Sequence, residues 1–277
     1  MPTLLSAGRA DLHERFVAPT LRGEFACCQL FSEPGAGSDL ASLATRATKV
    51  DGGRRVNGHK IWTSAAHRAD FGAMPARTDP DAAKHRGIGY FIVDMATDGI
   101  EISPSVRPME ILTSTRSSST TCSYPTTWFW ASLRAAGIWR SPPWRKNAWP
   151  SAGTSRRTRL ARCAGSRPRK GPDRDAVVRA LGELDAYTNA IKALGVRETI
   201  RLLDGQNPGP ASSIAKVATN VMLRATAAAT LKHTAELALV QDSDPAVVAP
   251  YLRFPAELIG GGTQEIQLNI IAQMILG

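Results

Sequence analysis

Between Ile111 and Pro172 the chain has no aspartate and no glutamate, although the same window holds twelve lysines and arginines. The 277-residue chain has a net charge of +10, and setting those twelve aside leaves −2. The basicity therefore belongs to one segment. It does not mark the protein as a ligand of nucleic acid or of an anionic surface. Long apolar runs are missing as well. Nothing approaches the ~18 consecutive apolar residues of a membrane span, so no transmembrane helix is expected. Residues 1–5 have neither a basic start nor a long apolar core, so no secretory signal is expected there. Cysteine is scarce. Cys27, Cys28, Cys122 and Cys163 show neither metal-ligand spacing nor a disulfide framework, which fits a reducing, cytoplasmic setting. The five histidines, at positions 13, 59, 67, 85 and 233, are scattered, and no metal site is expected from them.

What is present falls into four stretches. Residues 1–25 read as a short helix and connector, with Ala10 to Phe16 apolar at roughly helical spacing. Residues 26–110 are strand-like text punctuated by turns. Asp51-Gly52-Gly53 and Asn57-Gly58 are hairpin signals, because Gly and Asn tolerate positive φ. Gly89 to Asp94 and Ile100 to Ile102 read as further strands, and the polar run Thr78 to Gly87 as an exposed loop. The expectation is a compact antiparallel β-barrel or sandwich. From Asp173 to the end the period changes to 3.6. Val177, Val178, Leu181, Leu184, Tyr187 and Ile191 mark one helical face, Ser212 and Ser213 open a second helix reaching Leu239, and Gln264 to Leu276 form a third. Three such helices read as part of a bundle. Residues 111–172 obey neither period, hold five of the six tryptophans, and are not expected to bury a continuous face.

Two motifs carry chemistry. Gln29-Leu30-Phe31-Ser32-Glu33-Pro34-Gly35-Ala36-Gly37-Ser38-Asp39 ends a strand in small polar residues with accessible backbone N–H groups. Gly58-His59-Lys60-Ile61-Trp62-Thr63-Ser64 ends another in an aromatic plate beside two hydroxyls. Together they suit a flat, hydrogen-bonding heterocycle better than a metal or a nucleophile. Further on, Gly260-Gly261-Gly262-Thr263-Gln264-Glu265-Ile266 opens a helix whose free N–H groups favour an anionic or dipolar ligand.

The first two motifs, at their spacing and with the hairpin text between them, resemble the middle domain of the flavin-dependent acyl-CoA dehydrogenases. The resemblance spans roughly residues 6–110 and 173–277. It implies an α+β fold: a β middle domain followed by a C-terminal helical bundle, with the chain starting at the last connector of an N-terminal helical domain. By resemblance the cofactor is FAD. Gln29, Phe31 and Ser32 would lie along the isoalloxazine, Gly37 and Ser38 would approach the pyrophosphate and the acyl-CoA, Trp62, Thr63 and Ser64 would cover the far face of the ring, and Thr263 would reach the dinucleotide. The implied reaction is α,β-dehydrogenation of an acyl-CoA thioester. The implied partners are an electron-transfer flavoprotein and further subunits in a homo- or hetero-oligomer.

The catalytic base has no assigned residue. Many members carry a Glu immediately before the last Gly-Thr of the glycine loop, and here that position is Gly261. Others carry it in a Glu-Arg pair on a different helix, and the matching site here is covered by Lys146-Asn147-Ala148. Glu257 lies near the loop and is the one nearby carboxylate considered. The family's Arg-x-x-Phe-Gly and Gly-Gly-x-Gly motifs are not readable.

The window 111–172 reads as text in a shifted frame. Joining each codon's third base to the first two of the next, Cys122 through Gly153 is compatible with a string that begins VLVPDDMVLGEP and ends GGWDLAVATMAKERVAIGG. Ser114 to Thr121 extends it backward as FNEVFLDD. One match is cheap because third bases are free, but an uninterrupted run is not. The string resembles the stretch that family members carry after their middle domain. A basic, tryptophan-rich window would otherwise suit single-stranded nucleic acid; a frame-shifted origin removes the reason for such a site. The chain is expected to lack significant activity as written. A non-catalytic fragment or partner subunit is the first alternative, and a nucleic-acid-binding protein is the second.

Overall fold

The computed structural model describes residues 4, 10–104, 115–125, 129–132, 174–206, 209–234 and 245–276. The chain divides into two compact units, Met1–Pro143 and Trp144–Gly277.

The first unit is built on one eight-stranded sheet among its described residues. Its strands are β1 (Cys27–Gln29), β2 (Arg46–Val50), β3 (Gly53–Thr63), β4 (Phe71–Arg77), β5 (Ile88–Asp94), β6 (Ile100–Pro104), β7 (Thr115–Pro125) and β8 (Phe129–Ser132). The order is β6-β7-β3-β2-β4-β5-β8, with β1 also on β4. The sheet is mixed and not wholly antiparallel. β1 runs parallel to β4 over Cys27–Gln29, and β2 meets β4 in parallel at Arg46 and Arg77. A long loop joins β1 to β2 in place of a hairpin, so β1 can run in the same direction as β4.

The Asp51-Gly52 turn does join β2 to β3. Asn57-Gly58 does not turn; it lies inside β3, where the register with β7 slips. Glycine is needed there for space, because a Cβ on Gly58 would stand 2.1 Å from Thr45 Oγ1 and 2.7 Å from Thr45 Cα. β7 and β8 fall within 111–172, where no strand is expected from periodicity. β7 pairs along both edges, with β3 and β6. Backbone pairing asks for no apolar alternation, and the Ser-Thr run of β7 provides residues that accept an extended backbone.

The core holds Cys28, Leu30, Ala47, Val56, Ala66, Met74, Ala76, Phe91, Val93 and Met95. β5 is buried on both faces, so it reads as a continuous apolar run. Phe91 and Val93 face the core, while Tyr90 on the other face meets Phe31 edge-on at 5.9 Å. A helical stretch over residues 10–21, labelled α1, is π-wound in its middle, over His13–Val17. Its Phe16 is buried and packs edge-on against Phe71 of β4 at 4.9 Å.

The second unit contains α2 (Arg174–Leu203), α3 (Ala211–Thr234), α4 (Pro245–Ile259) and α5 (Gln264–Ile275). α4 has no counterpart among the helices expected from sequence, because Pro250 and Pro255 within it argue against a helix interior. On α2 the buried face runs through Val177, Ile191, Gly195 and Glu198, whereas Val178 and Tyr187 point outward. Glu198 is buried beside Arg197, at 3.0 Å. Lys216 of α3 donates to the carbonyl of Glu257 at 2.7 Å, tying α3 to the end of α4.

Candidate functional site

In the first unit, the ends of β1 and β3 bring the two motifs side by side. The Ile61 N–H donates to the Ser32 carbonyl at 2.8 Å, so the Phe31-Ser32 segment continues alongside β3. Glu33 and Ala36 then exchange two backbone hydrogen bonds, at 2.9 and 3.1 Å, which close a tight turn. Gly37 and Ser38 come next and are exposed, as is Gln29 at the end of β1. Phe31 and Ser32 are half-buried. A Cβ built on Gly35 or Gly37 would meet nothing within 4 Å, so the backbone of this turn is open to an approaching group.

Trp62 lies at a bulge. Between the Lys60–Ser117 and Thr63–Thr115 pairs, β3 has one residue more than β7. There Trp62 adopts φ 58, a left-handed conformation rare for a bulky residue, and its side chain is 61% exposed. Bulges of this kind re-aim a side chain, and strain of this kind collects at ligand sites. Ala65, at φ 63, continues the irregularity. Ser64 is exposed. Thr63 is fully buried against the sheet and does not share the open surface of Trp62.

Beneath these loops lies an ion pair that the two motifs do not reveal by themselves. Lys60, 2% exposed, donates to Glu33 Oε1 at 2.7 Å, to the Pro75 carbonyl at 2.9 Å and to the Phe31 carbonyl at 3.3 Å. The Glu33 carboxylate also accepts from the backbone N–H groups of Ala44 at 2.6 Å and Thr45 at 3.1 Å. Burial pushes the Lys60 ammonium down to about 8, and Glu33 opposes that shift. For Glu33, burial acts upward. The Lys60 charge and the hydrogen bonds from Lys60, Thr45 and Ala44 outweigh it and hold the carboxyl below its ordinary value. One sequence signal was available: Lys60 shares the inward phase of Val56 on β3, and a lysine there calls for a buried acid.

Further along the loop, Asp39 accepts from Ser42 and Lys84, both at 2.5 Å. These pairs are exposed and anchor the loop's far end.

In the second unit, Thr263 caps α5, its Oγ1 accepting from the Ile266 N–H at 3.4 Å. Gly261 and Gly262 both have positive φ, 76 and 100, and Gln267 is buried with its Nε2 on the Gly261 carbonyl at 3.1 Å. The loop ahead of α5 is thus held from its own helix. Among the described residues no group of three His, Cys, Asp or Glu side chains could hold a metal, and no helix is long and apolar enough to cross a membrane.

Two family models match. The acyl-CoA dehydrogenase middle domain matches residues 28–118, and the acyl-CoA dehydrogenase C-terminal domain matches residues 149–276. Acyl-CoA dehydrogenase FadE34 of Mycobacterium tuberculosis is 37% identical over 290 aligned positions, covering all of this chain and 38% of that relative. Acyl-CoA dehydrogenase IpdE1 of the same organism is 43% identical over 108 positions, covering 38% of this chain and 28% of the relative. The chain thus spans well under half the length of these curated relatives. Among solved structures, an acyl-CoA dehydrogenase from Geobacillus kaustophilus superposes with a TM-score of 0.82 at 22% identity, covering 98% of this chain and 74% of that one. The ChsE4-ChsE5 complex from Mycobacterium tuberculosis gives 0.79 at 23%, covering 100% and 75%. The chain belongs to the acyl-CoA dehydrogenase family.

Proposed function

We propose that this chain holds FAD in the first unit and serves the α,β-dehydrogenation of an acyl-CoA thioester without providing the catalytic base itself. The observation that carries the reading is Trp62, an exposed indole held in left-handed backbone at a bulge, one residue beyond the Ile61–Ser32 hydrogen bond. The open turn at Gly35 and Gly37 fits phosphate oxygens, and Gln29, Ser32, Ser38 and Ser64 are polar groups of the same two motifs that are exposed or half-buried. In the second unit, the N-terminus of α5, capped by Thr263, is by itself a candidate for an anionic group. When bound, the flavin would accept the hydride leaving Cβ. The chain's own part is to hold the ring flat against Phe31 and Trp62 and to exclude water from one of its faces.

The missing base supports a second reading, that the chain is a partner subunit completing a site with a related protein. Gly261 offers no carboxylate, and the structurally similar ChsE4-ChsE5 is a complex. Large apolar side chains left exposed on α2 and α5, such as Ile200, Leu203, Leu268 and Ile275, suit association. An electron-transfer flavoprotein is the proposed acceptor, the cytoplasm the proposed compartment, and a shifted reading frame the proposed origin of 111–172.

The test is a flavin titration of the purified chain followed by dye-coupled turnover with acyl-CoA. Flavin binding without turnover fits the proposal. An absence of flavin binding, with nonspecific uptake of single-stranded nucleic acid, would overturn it.

A further inference from the structure

We infer that Glu33 and Lys60 are positioning residues, a buried clamp that fixes the spacing of the two loops assigned above to the flavin. The inference rests on that assignment for its function but on its own geometry for its existence. Lys60 uses its three ammonium donors on Glu33, the Phe31 carbonyl and the Pro75 carbonyl, and has none left for a ligand. Glu33 gathers Lys60 and the backbone of Ala44 and Thr45. Four segments therefore meet at one pair: the 31–33 loop, the entry to β2, β3 and β4.

Stability alone does not call for such a pair, since apolar side chains of similar volume fill a buried site about as well. Direction is what the pair adds. Lys60 and Ile61, consecutive on β3, take the carbonyls of Phe31 and Ser32, consecutive on the loop. Trp62 comes immediately after, in its strained conformation. A shift of Lys60 along the sheet would move the indole and the Ser32 carbonyl together. Both side chains are buried, so neither touches a ligand, and they act through the loops they hold.

The test compares the full chain with the volume-matched double variant Glu33→Gln/Lys60→Met and with each single change. Three quantities are read: thermal stability, amide hydrogen exchange without cofactor, and affinity for FAD. The double variant is expected to melt close to the unaltered chain, because no charge is left buried alone. Its Ile61, Ala44 and Thr45 amides should exchange about tenfold faster or more while Phe91 of β5 is unchanged, and FAD should bind ~10-fold or more weakly, as when supporting groups around a bound centre are removed. The single changes should do at least as much to FAD binding as the double, since the two residues act as one unit.

Unchanged exchange at those three amides in the double variant would overturn the clamp. So would a double variant that fails to fold, which would make the pair a stability element. Failure of the unaltered chain to bind FAD would instead remove the flavin assignment, and the exchange data would still decide whether the clamp exists.

Discussion

At Trp62 the requirements of folding and of the proposed function separate. A left-handed backbone costs a non-glycine residue about 1–2 kcal/mol, and an indole 61% exposed recovers little of that by burial. Trp62→Gly is therefore expected to leave the melting temperature unchanged or raised while FAD affinity falls, as read by calorimetry and flavin fluorescence. Gly58 makes the opposite case. Alanine there would push into the backbone and Cβ of Thr45 at under 3 Å, and Gly58→Ala should destabilise the first unit by about 1–3 kcal/mol in urea unfolding.

The buried pair adds a signature in pH. Glu33's folded pKa lies below its ordinary 4.5, so its contribution is present above that value and is lost as pH falls through the lower folded value. Lys60's is depressed from 10.5 to about 8, so between those values the unfolded state binds more protons and stability rises with pH. Against Glu33→Gln/Lys60→Met, the unaltered chain should lose stability in acid and gain it between about pH 8 and 10.5.

At the scale of elements, local chemistry was more legible than pairing. The Asp51-Gly52 turn, strand β5 and the helix after Thr263 are consequences of turn residues, apolar runs and capping. The Asn57-Gly58 signal misleads because the same dipeptide serves a turn and a close crossing, and only Thr45, at the entry to β2, decides between them. β7 was illegible for a similar reason: its place between β3 and β6 is set by backbone pairing, which leaves no period in the side chains. The two motif segments were readable as polar strand ends, and the Ile61–Ser32 hydrogen bond joins them. Lys60 and Glu33 beneath them escape a reading by motif, since each looks like an ordinary surface charge until the strand phase is counted. α4 was lost to its prolines. The exposed Pro255 lies well inside that helix and denies the Tyr251 carbonyl its partner. Pro255→Ala should raise the melting temperature of the second unit, and a lowered one would mean that the ring itself packs usefully.

At the scale of the whole molecule, the family's scaffold is present, and on the function proposed above neither place where the resemblance puts a base carries a carboxylate. General-base catalysis contributes ~10²–10⁴-fold, so FAD-loaded chain mixed with acyl-CoA and an artificial electron acceptor should show no turnover above background. Installing the missing group by Gly261→Glu meets a second obstacle, since φ there is 76 and a glutamate would bear left-handed strain. The more informative comparison restores codons 111–172 to the inferred frame, which returns a Glu-Arg pair at the position now covered by Lys146-Asn147-Ala148. The repaired chain should turn over, alone or with a partner subunit, where the unaltered one does not. Robust turnover by the unaltered chain would instead direct attention to Glu257, half-buried at the end of α4 and close enough to Lys216 to oppose the downward effect of burial on that ammonium. Glu257→Gln would then have to abolish the activity while the melting temperature held.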